Sequence, residues 1–167
     1  MKIDLSNLIV GKYYQINLDS TIEINEIETE ENNIKLTKPI KINGGIYNTD
    51  DGIYLEAKVY FEFETNCSRC LKELIVEEEA NLQYRIQIEE DEEIPFDEEI
   101  IKASEYTIDL TKPIISSILL SIPMKTICDE NCKGICPQCG NDLNEGQCNC
   151  EDDNIDPRLA KLKELMD

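Results

Sequence analysis

Eight cysteines carry the chemistry available to this chain: Cys67, Cys70, Cys128, Cys132, Cys136, Cys139, Cys148 and Cys150. Cys136-Pro137-Gln138-Cys139-Gly140 is the sharpest local signal, because two thiolates at this spacing meet one ion when the chain turns between them, and the glycine permits the turn. Cys148-Asn149-Cys150 supplies a second close pair a short distance on, and the four make a compact tetrahedral set. Cys67/Cys70 and Cys128/Cys132 are then left for a second four-thiolate site. Spacing alone does not decide the partition. Cys128, Cys132 and Cys136 also recur at four-residue spacing, and a single ion on Cys67, Cys70, Cys136 and Cys139 is equally open.

The sequence has no histidine, so it has no imidazole base, no Ser-His-Asp or Cys-His nucleophile and no imidazole metal ligand. A zinc ion held by four cysteines keeps no position for water or substrate, so one or two structural zinc ions are expected rather than a catalytic one. The competing reading makes Cys67 and Cys70 a thiol-disulfide oxidoreductase pair, with Arg69 lowering a thiolate pKa. A redox C-x-x-C of that kind opens a helix after a strand, whereas this one falls between two strand patterns. The chain is therefore expected not to be an enzyme and to take no small-molecule substrate.

The elements that must position these cysteines are mostly strands. Twenty-five isoleucines against four alanines tilt the 167-residue chain that way. Even positions from Ile16 to Ile24 are mostly apolar, a pattern repeated at Ile34, Leu36, Ile40 and Ile42, with Pro39 suggesting an edge strand or a bulge. Gly44-Gly45 and Asp50-Asp51-Gly52 read as turns. Ile53, Leu55, Ala57, Val59, Phe61 and Phe63 alternate with polar residues up to the first cysteine pair, and Leu74, Val76, Ala80, Leu82, Tyr84, Ile86 and Ile88 alternate after it. This predicts one long hairpin with Cys67 and Cys70 at its tip. Residues 89–99 carry eight carboxylates and read as a solvated loop.

A helix is expected over 109–122, capped by Asp109 or Thr111, with Pro113 in its first turn and an apolar stripe of Ile114, Ile115, Ile118, Leu119 and Ile122. From Cys128 to Cys150 there are six cysteines and few large apolar side chains, a segment that needs a staple to fold. Asp156-Pro157-Arg158 opens a short C-terminal helix carrying Leu159, Leu162, Leu165 and Met166. The expected class is α+β, mainly an antiparallel sheet with one central helix. The expected domains are 1–127, an antiparallel β domain with the packed helix, and 128–167, a Cys-rich zinc-binding tail with the C-terminal helix.

The N-terminus lacks a signal-peptide pattern, and no apolar stretch reaches the roughly 20 residues that span a bilayer, so a cytoplasmic protein without a membrane partner is expected. Cytosolic thiols stay reduced, which favours metal ligands over disulfides. The net charge of −20 argues against a protein that grasps a nucleic-acid backbone and favours a basic protein partner. Lys35, Lys38 and Lys41 are the only closely spaced lysines of the first half.

Cys67-Ser68-Arg69-Cys70-Leu71, the run Ile108-Asp109-Leu110 leading to Ile118-Leu119-Leu120-Ser121-Ile122-Pro123-Met124, the stretch from Cys132 to Asn144 and the ending Asp156-Pro157-Arg158-Leu159-Ala160-Lys161-Leu162 together resemble one family. It is that of the YceD-like large ribosomal RNA subunit accumulation proteins, and the resemblance runs from about residue 50 to the end. It implies a bacterial-type cytosolic, non-enzymatic factor in large ribosomal subunit biogenesis, whose partner is a ribosomal protein or a pre-large-subunit particle. Direct contact with ribosomal RNA would fall to a local basic spot at Arg69, Lys72, Lys125 and Lys133. The carboxylates of Glu89 to Glu99 are expected to contribute to contact with a basic protein of the assembling subunit, and an alternative expectation is an acidic chaperone of a basic ribosomal protein, whose acidic face shields positive charge.

Overall fold

The computed structural model describes residues 1–29, 33–88 and 99–150. The expectations for the acidic stretch 89–98 and for the C-terminal helix fall outside these residues.

Short elements open the chain: β1 (Lys2–Asp4), α1 (Ser6–Ile9), β2 (Gln15–Ile22), β3 (Glu26–Glu28) and β4 (Asn33–Lys35). The long strands β5 (Ile40–Thr49), β6 (Gly52–Asn66) and β7 (Glu73–Gln87) follow, then β8 (Ile100–Lys102), β9 (Thr107–Asp109) and α2 (Thr111–Ser121). The main sheet has the order β2-β5-β6-β7-β8. β2 with β5 and β5 with β6 are antiparallel, and β7 with β8 is parallel, so the sheet is mixed. β1 pairs with β9, and β3 with β4, as separate two-stranded ribbons.

The period-two pattern of the sequence is realised in β6. Ile53, Leu55, Ala57, Val59, Phe61 and Phe63 are all buried, and the Phe61 and Phe63 rings stack at 5.8 Å on that face. β7 contributes Ala80, Leu82 and Ile86 to the same core. β6 and β7 are neighbours in the sheet, and the connection between them carries Cys67 and Cys70. On the opposite face of β6 the carboxylate of Glu62 is buried and held by Lys38 Nζ at 2.5 Å and by the Thr37 hydroxyl, which keeps it below the usual carboxylate range. Lys38 also reaches Glu77 at 3.2 Å, so it is committed to carboxylates of the sheet rather than to a basic patch.

Three local expectations are corrected or narrowed. Gly44-Gly45 is not a turn but lies inside β5, with Gly44 opposite both Leu18 and Ala57. A Cβ there would sit 2.2 Å from the Glu56 carbonyl oxygen, so the glycine allows close approach of two backbones. Pro39 lies not on an edge strand but in a bulge-like break, where the pairing with β6 slips from Leu36 opposite Phe63 to Lys41 opposite Tyr60. It immediately precedes β5, an interior strand, and so removes no ladder hydrogen bond. The helix expected from 109 starts at Thr111, because Thr107–Asp109 is drawn into β9 by pairing with β1.

The expected cap is not formed either, since the N-cap of α2 is Leu110 with no side-chain cap hydrogen bond, and Asp109 instead makes an Asx turn just ahead of the helix. Its Oδ1 accepts from Thr111 N at 2.9 Å and Thr111 Oγ1 at 2.7 Å, and these bonds hold its carboxyl well below the ordinary range. Ile114 and Ile118 are fully buried and α2 lies against β7, each isoleucine contributing about 1.5–3 kcal/mol by leaving water. Among the described residues no helix is long and apolar enough to cross a membrane.

Two compact units divide the chain. The first comprises Met1–Thr65 with Glu73–Met124 and holds the sheet, α1 and α2. The second comprises Asn66–Lys72 with the chain from Lys125 onward, so all eight cysteines belong to it. Sequence reading set the boundary at 127/128 and left Cys67 and Cys70 with the sheet.

Candidate metal centre

The first cysteine pair is presented by a tight turn. Leu71 N donates to the Cys67 carbonyl at 2.9 Å, and Leu71 adopts a left-handed φ of 62°. Cys67 N donates to the Lys72 carbonyl at 2.8 Å and closes the turn's neck. Ser68 N donates to the Thr126 carbonyl at 2.8 Å and Thr126 Oγ1 to the Asn66 carbonyl at 3.3 Å, which brings Cys128 alongside. Arg69 then draws in the following segment: its Nη1 donates to the carbonyls of Glu130 at 3.0 Å and Cys132 at 2.8 Å. The guanidinium is thus a clamp on the 130–132 backbone, and the basic spot expected here is reduced to Lys72, Lys125 and Lys133, all exposed.

The second turn repeats the first. Gly140 N donates to the Cys136 carbonyl at 2.9 Å, with φ 75° at Gly140. Segment 134–136 runs beside 141–143: Ile135 bridges Asp142, Cys136 N donates to the Asn141 carbonyl at 2.8 Å, and Leu143 N to the Gly134 carbonyl at 2.9 Å. Gly134 has φ 78°, and a Cβ on it would stand 3.0 Å from the Arg69 carbonyl oxygen, so a larger residue is excluded on both counts. Asx turns at Asp129 and Asp142 accept from Asn131 N and Asn144 N, each at 2.8 Å.

These contacts gather the cysteines into two quartets, Cys67/Cys70/Cys128/Cys132 and Cys136/Cys139/Cys148/Cys150, with the sulfur atoms of each within 4.8 Å of one another. Of the partitions open to spacing, the structure brings together neither the Cys128/Cys132/Cys136 run nor Cys67/Cys70 with Cys136/Cys139. In the first quartet Cys67 and Cys132 sulfurs are 3.9 Å apart and Cys70 and Cys128 sulfurs 3.5 Å. Sulfurs at the corners of a tetrahedron with metal–sulfur bonds of ~2.3 Å are ~3.8 Å apart, so this quartet could hold a metal ion with little rearrangement. All eight thiols are free.

Electrostatics point the same way. Burial opposes ionisation of Cys67, but the backbone N–H groups of Cys70, Arg69 and Cys128 outweigh it and bring the thiol down to about 6. Cys128 is pushed up to about 12 by its hydrogen bonds to Cys132 and Cys70. The second quartet mirrors this, with Cys136 down to about 6 under the N–H groups of Cys139 and Gln138, and Cys150 up to about 12 beside Cys139. Each quartet thus stabilises one thiolate unaided, and a full set of four requires a cation to offset their mutual repulsion.

The model of the family described as Large ribosomal RNA subunit accumulation protein YceD matches residues 55–166, which takes in both quartets. The chain belongs to the YceD family. Its relatives include YlbN of Bacillus subtilis, an uncharacterized protein 28% identical over 149 residues, 89% of this chain and 86% of the relative. An uncharacterized protein of Mycobacterium tuberculosis, Rv2926c, is 28% identical over 123 residues, covering 72% of this chain and 59% of its own length. The Arabidopsis thaliana Large ribosomal RNA subunit accumulation protein YCED homolog 1, chloroplastic, is 40% identical over 62 residues, 35% of this chain and 19% of the plant protein. The match thus spans about three fifths of the mycobacterial relative. No solved structure matches.

Sequence reading found all eight cysteines but missed Arg69 as a clamp, Gly134 and Asn144. The Asp/Asn residues at 129, 131, 142 and 144, spaced two apart beside cysteines, were the available signal for the Asx turns.

Proposed function

We propose that this chain is a non-enzymatic, cytosolic factor in large ribosomal subunit biogenesis whose second unit is held together by two structural zinc ions. The carrying observation is that all eight cysteines fall into two complete quartets. Four protein thiolates per ion leave no position for water or substrate, which suits structure and not hydrolysis. Cytosolic thiolates in tetrahedral sets suit zinc among the available divalent ions. The biogenesis role rests on the family description and on the plant relatives' names.

Cys67 has the low thiol pKa of a redox nucleophile, yet it is fully buried and sits in a turn, where a disulfide oxidoreductase needs its attacking sulfur exposed. A basic ribosomal protein is the favoured contact. The chain carries −20, and Arg69, the strongest candidate for an RNA phosphate, is engaged with carbonyl oxygens. Association with pre-large-subunit particles, measured by co-sedimentation with and without nuclease, tests this. Binding that survives nuclease and falls with salt is expected. Strong binding to naked ribosomal RNA, lost on replacing Lys72, Lys125 and Lys133, would reverse the assignment of partner. Native mass spectrometry is expected to show two zinc increments.

A further inference from the structure

Asn144 lies in the 140–147 segment that joins the two halves of the Cys136 quartet, but its side chain serves the other quartet. Its Nδ2 donates to Cys132 Sγ at 3.5 Å and to Asp142 Oδ1 at 2.6 Å, while its Oδ1 accepts from Lys133 N at 2.8 Å. The amide is therefore oriented by three partners, and the N–H that faces the sulfur cannot turn away without breaking the other two bonds. A neutral N–H aimed at a thiolate supports its negative charge and fixes the sulfur's position, as outer partners of metal ligands generally do.

The backbone beneath this contact is shared. Ile135 N, next to Cys136, donates to the Arg69 carbonyl at 3.1 Å, and the Arg69 side chain holds the Cys132 carbonyl from the first quartet. The position of Asn144 is set by the Asp142 turn and by closure of the loop between Cys139 and Cys148. With the Cys136 quartet open, residues 141–144 keep their bonds to Lys133, Gly134 and Cys136 but the loop loses its anchor at Cys148, so the N–H donor to Cys132 is held less firmly.

We infer that Asn144 is a positioning residue for the Cys132 thiolate that couples the two quartets, so that an ion in the Cys136 quartet tightens ion binding by the Cys67 quartet. Reciprocity requires the reverse effect to have the same factor. The inference rests on the metal reading above and extends it.

Cobalt(II) titration of the full chain under reducing conditions, with alkylation mapping to identify which cysteines are protected, tests it. Asn144→Asp retains the acceptor for Lys133 N and replaces the donor to Cys132 by an anionic oxygen. It is expected to weaken the Cys67 quartet by about 10–100-fold and to shift its thiolate-to-cobalt absorption, and to weaken the Cys136 quartet by the same factor when the Cys67 quartet is loaded but by no more than about twofold when it is empty. Asp142→Asn combined with Asn144→Asp removes the new carboxylate repulsion and is expected to remain as weak. Cys148→Ser with Cys150→Ser is expected to weaken the Cys67 quartet by a similar factor, and adding Asn144→Asp to that background to cost nothing further. An Asn144→Asp chain with unchanged affinity and absorption, or fully additive losses, overturns the coupling while two bound ions uphold the metal reading. A wild-type chain that binds neither cobalt nor zinc overturns both.

Discussion

Cys67-Ser68-Arg69-Cys70 and Cys136-Pro137-Gln138-Cys139 fold into the same turn, each closed by a hydrogen bond of 2.9 Å and followed by a residue with positive φ, yet they complete their quartets differently. The Cys67 quartet reaches across 58 and 65 residues of chain, and Cys67, Cys70 and Cys132 are buried. The Cys136 quartet is assembled within residues 136–150, with Cys139 and Cys150 exposed. Cross-linking a long loop removes more freedom from the unfolded chain than cross-linking a short one, though the gain grows only slowly with length. The first quartet should therefore dominate the stability of its unit, and the second should be the more exchangeable.

The largest expected effect comes from Cys67→Ser. Structural zinc contributes on the order of 10 kcal/mol to small metal-held units, so loss of this buried ligand is expected to abolish amide protection across 66–72 and 125–150. The strands β5, β6 and β7 keep theirs, since they rest on their own apolar face. Hydrogen exchange read by mass spectrometry checks both halves, and loss of protection throughout the sheet would make metal and sheet one cooperative unit.

Acidification is expected to separate the two units next. Cys67 and Cys136 ionise at about 6 in the folded chain and near 8.5 when unfolded. Their contribution is complete above the unfolded value and is lost as pH falls through about 6. Asp109 and Glu62 are held below the ordinary carboxylate range, so their contribution to the first unit persists above about 4 and is lost only on further acidification. Metal release below pH 6, because a bound cation depresses these thiols further, and ahead of sheet unfolding below pH 4, is expected when metal content and far-ultraviolet circular dichroism are followed together. A single coincident transition would erase the distinction between the units.

Chelator challenge resolves the quartets more finely. Release in two phases is expected, with Cys139 and Cys150 alkylated before Cys67 and Cys132, because only the former pair is open to solvent. Simultaneous alkylation would refute the ranking.

The smallest effect compares the turns themselves. Leu71 bears a side chain at a left-handed position, at a cost of roughly 1–2 kcal/mol, whereas Gly140 bears none. Leu71→Gly is expected to be neutral or stabilising by up to about 1 kcal/mol, and Gly140→Ala to destabilise by about 1 kcal/mol, as read by denaturant midpoint.

What could be read in advance follows the range of the interaction involved. The alternation from Ile53 to Phe63 was legible because each inward residue is buried by the same local pleat, and Ile114 with Ile118 because helical spacing places them on one face. The eight ligands were legible by type, but their grouping depends on the backbone bonds that bring residue 126 to residue 68 and residue 135 to residue 69. Gly44-Gly45 misled because the reason for those glycines is a neighbouring strand. The β1–β9 ribbon and the parallel β7–β8 pair join segments with no local signature of each other, and Leu71 carries no hint of its positive φ. Asn144 escaped notice because its partner sulfur belongs to the other quartet.

The long reach of the first quartet also sets a timetable. Cys70 leaves the ribosome 58 residues before Cys128. At synthesis rates of about 5–20 residues per second, that is an interval of roughly 3–12 s. For that interval the nascent chain exposes a two-sulfur half-site, after β6 has been made and while β7 and α2 are still being added. An ion captured then is held by two protein ligands and remains open to glutathione and other thiols. The second quartet, made within fifteen residues, has almost no such interval. With metal held as proposed above, the chain passes through a period of vulnerability to oxidants and to mismetallation that belongs to its manufacture and disappears once residue 132 has arrived.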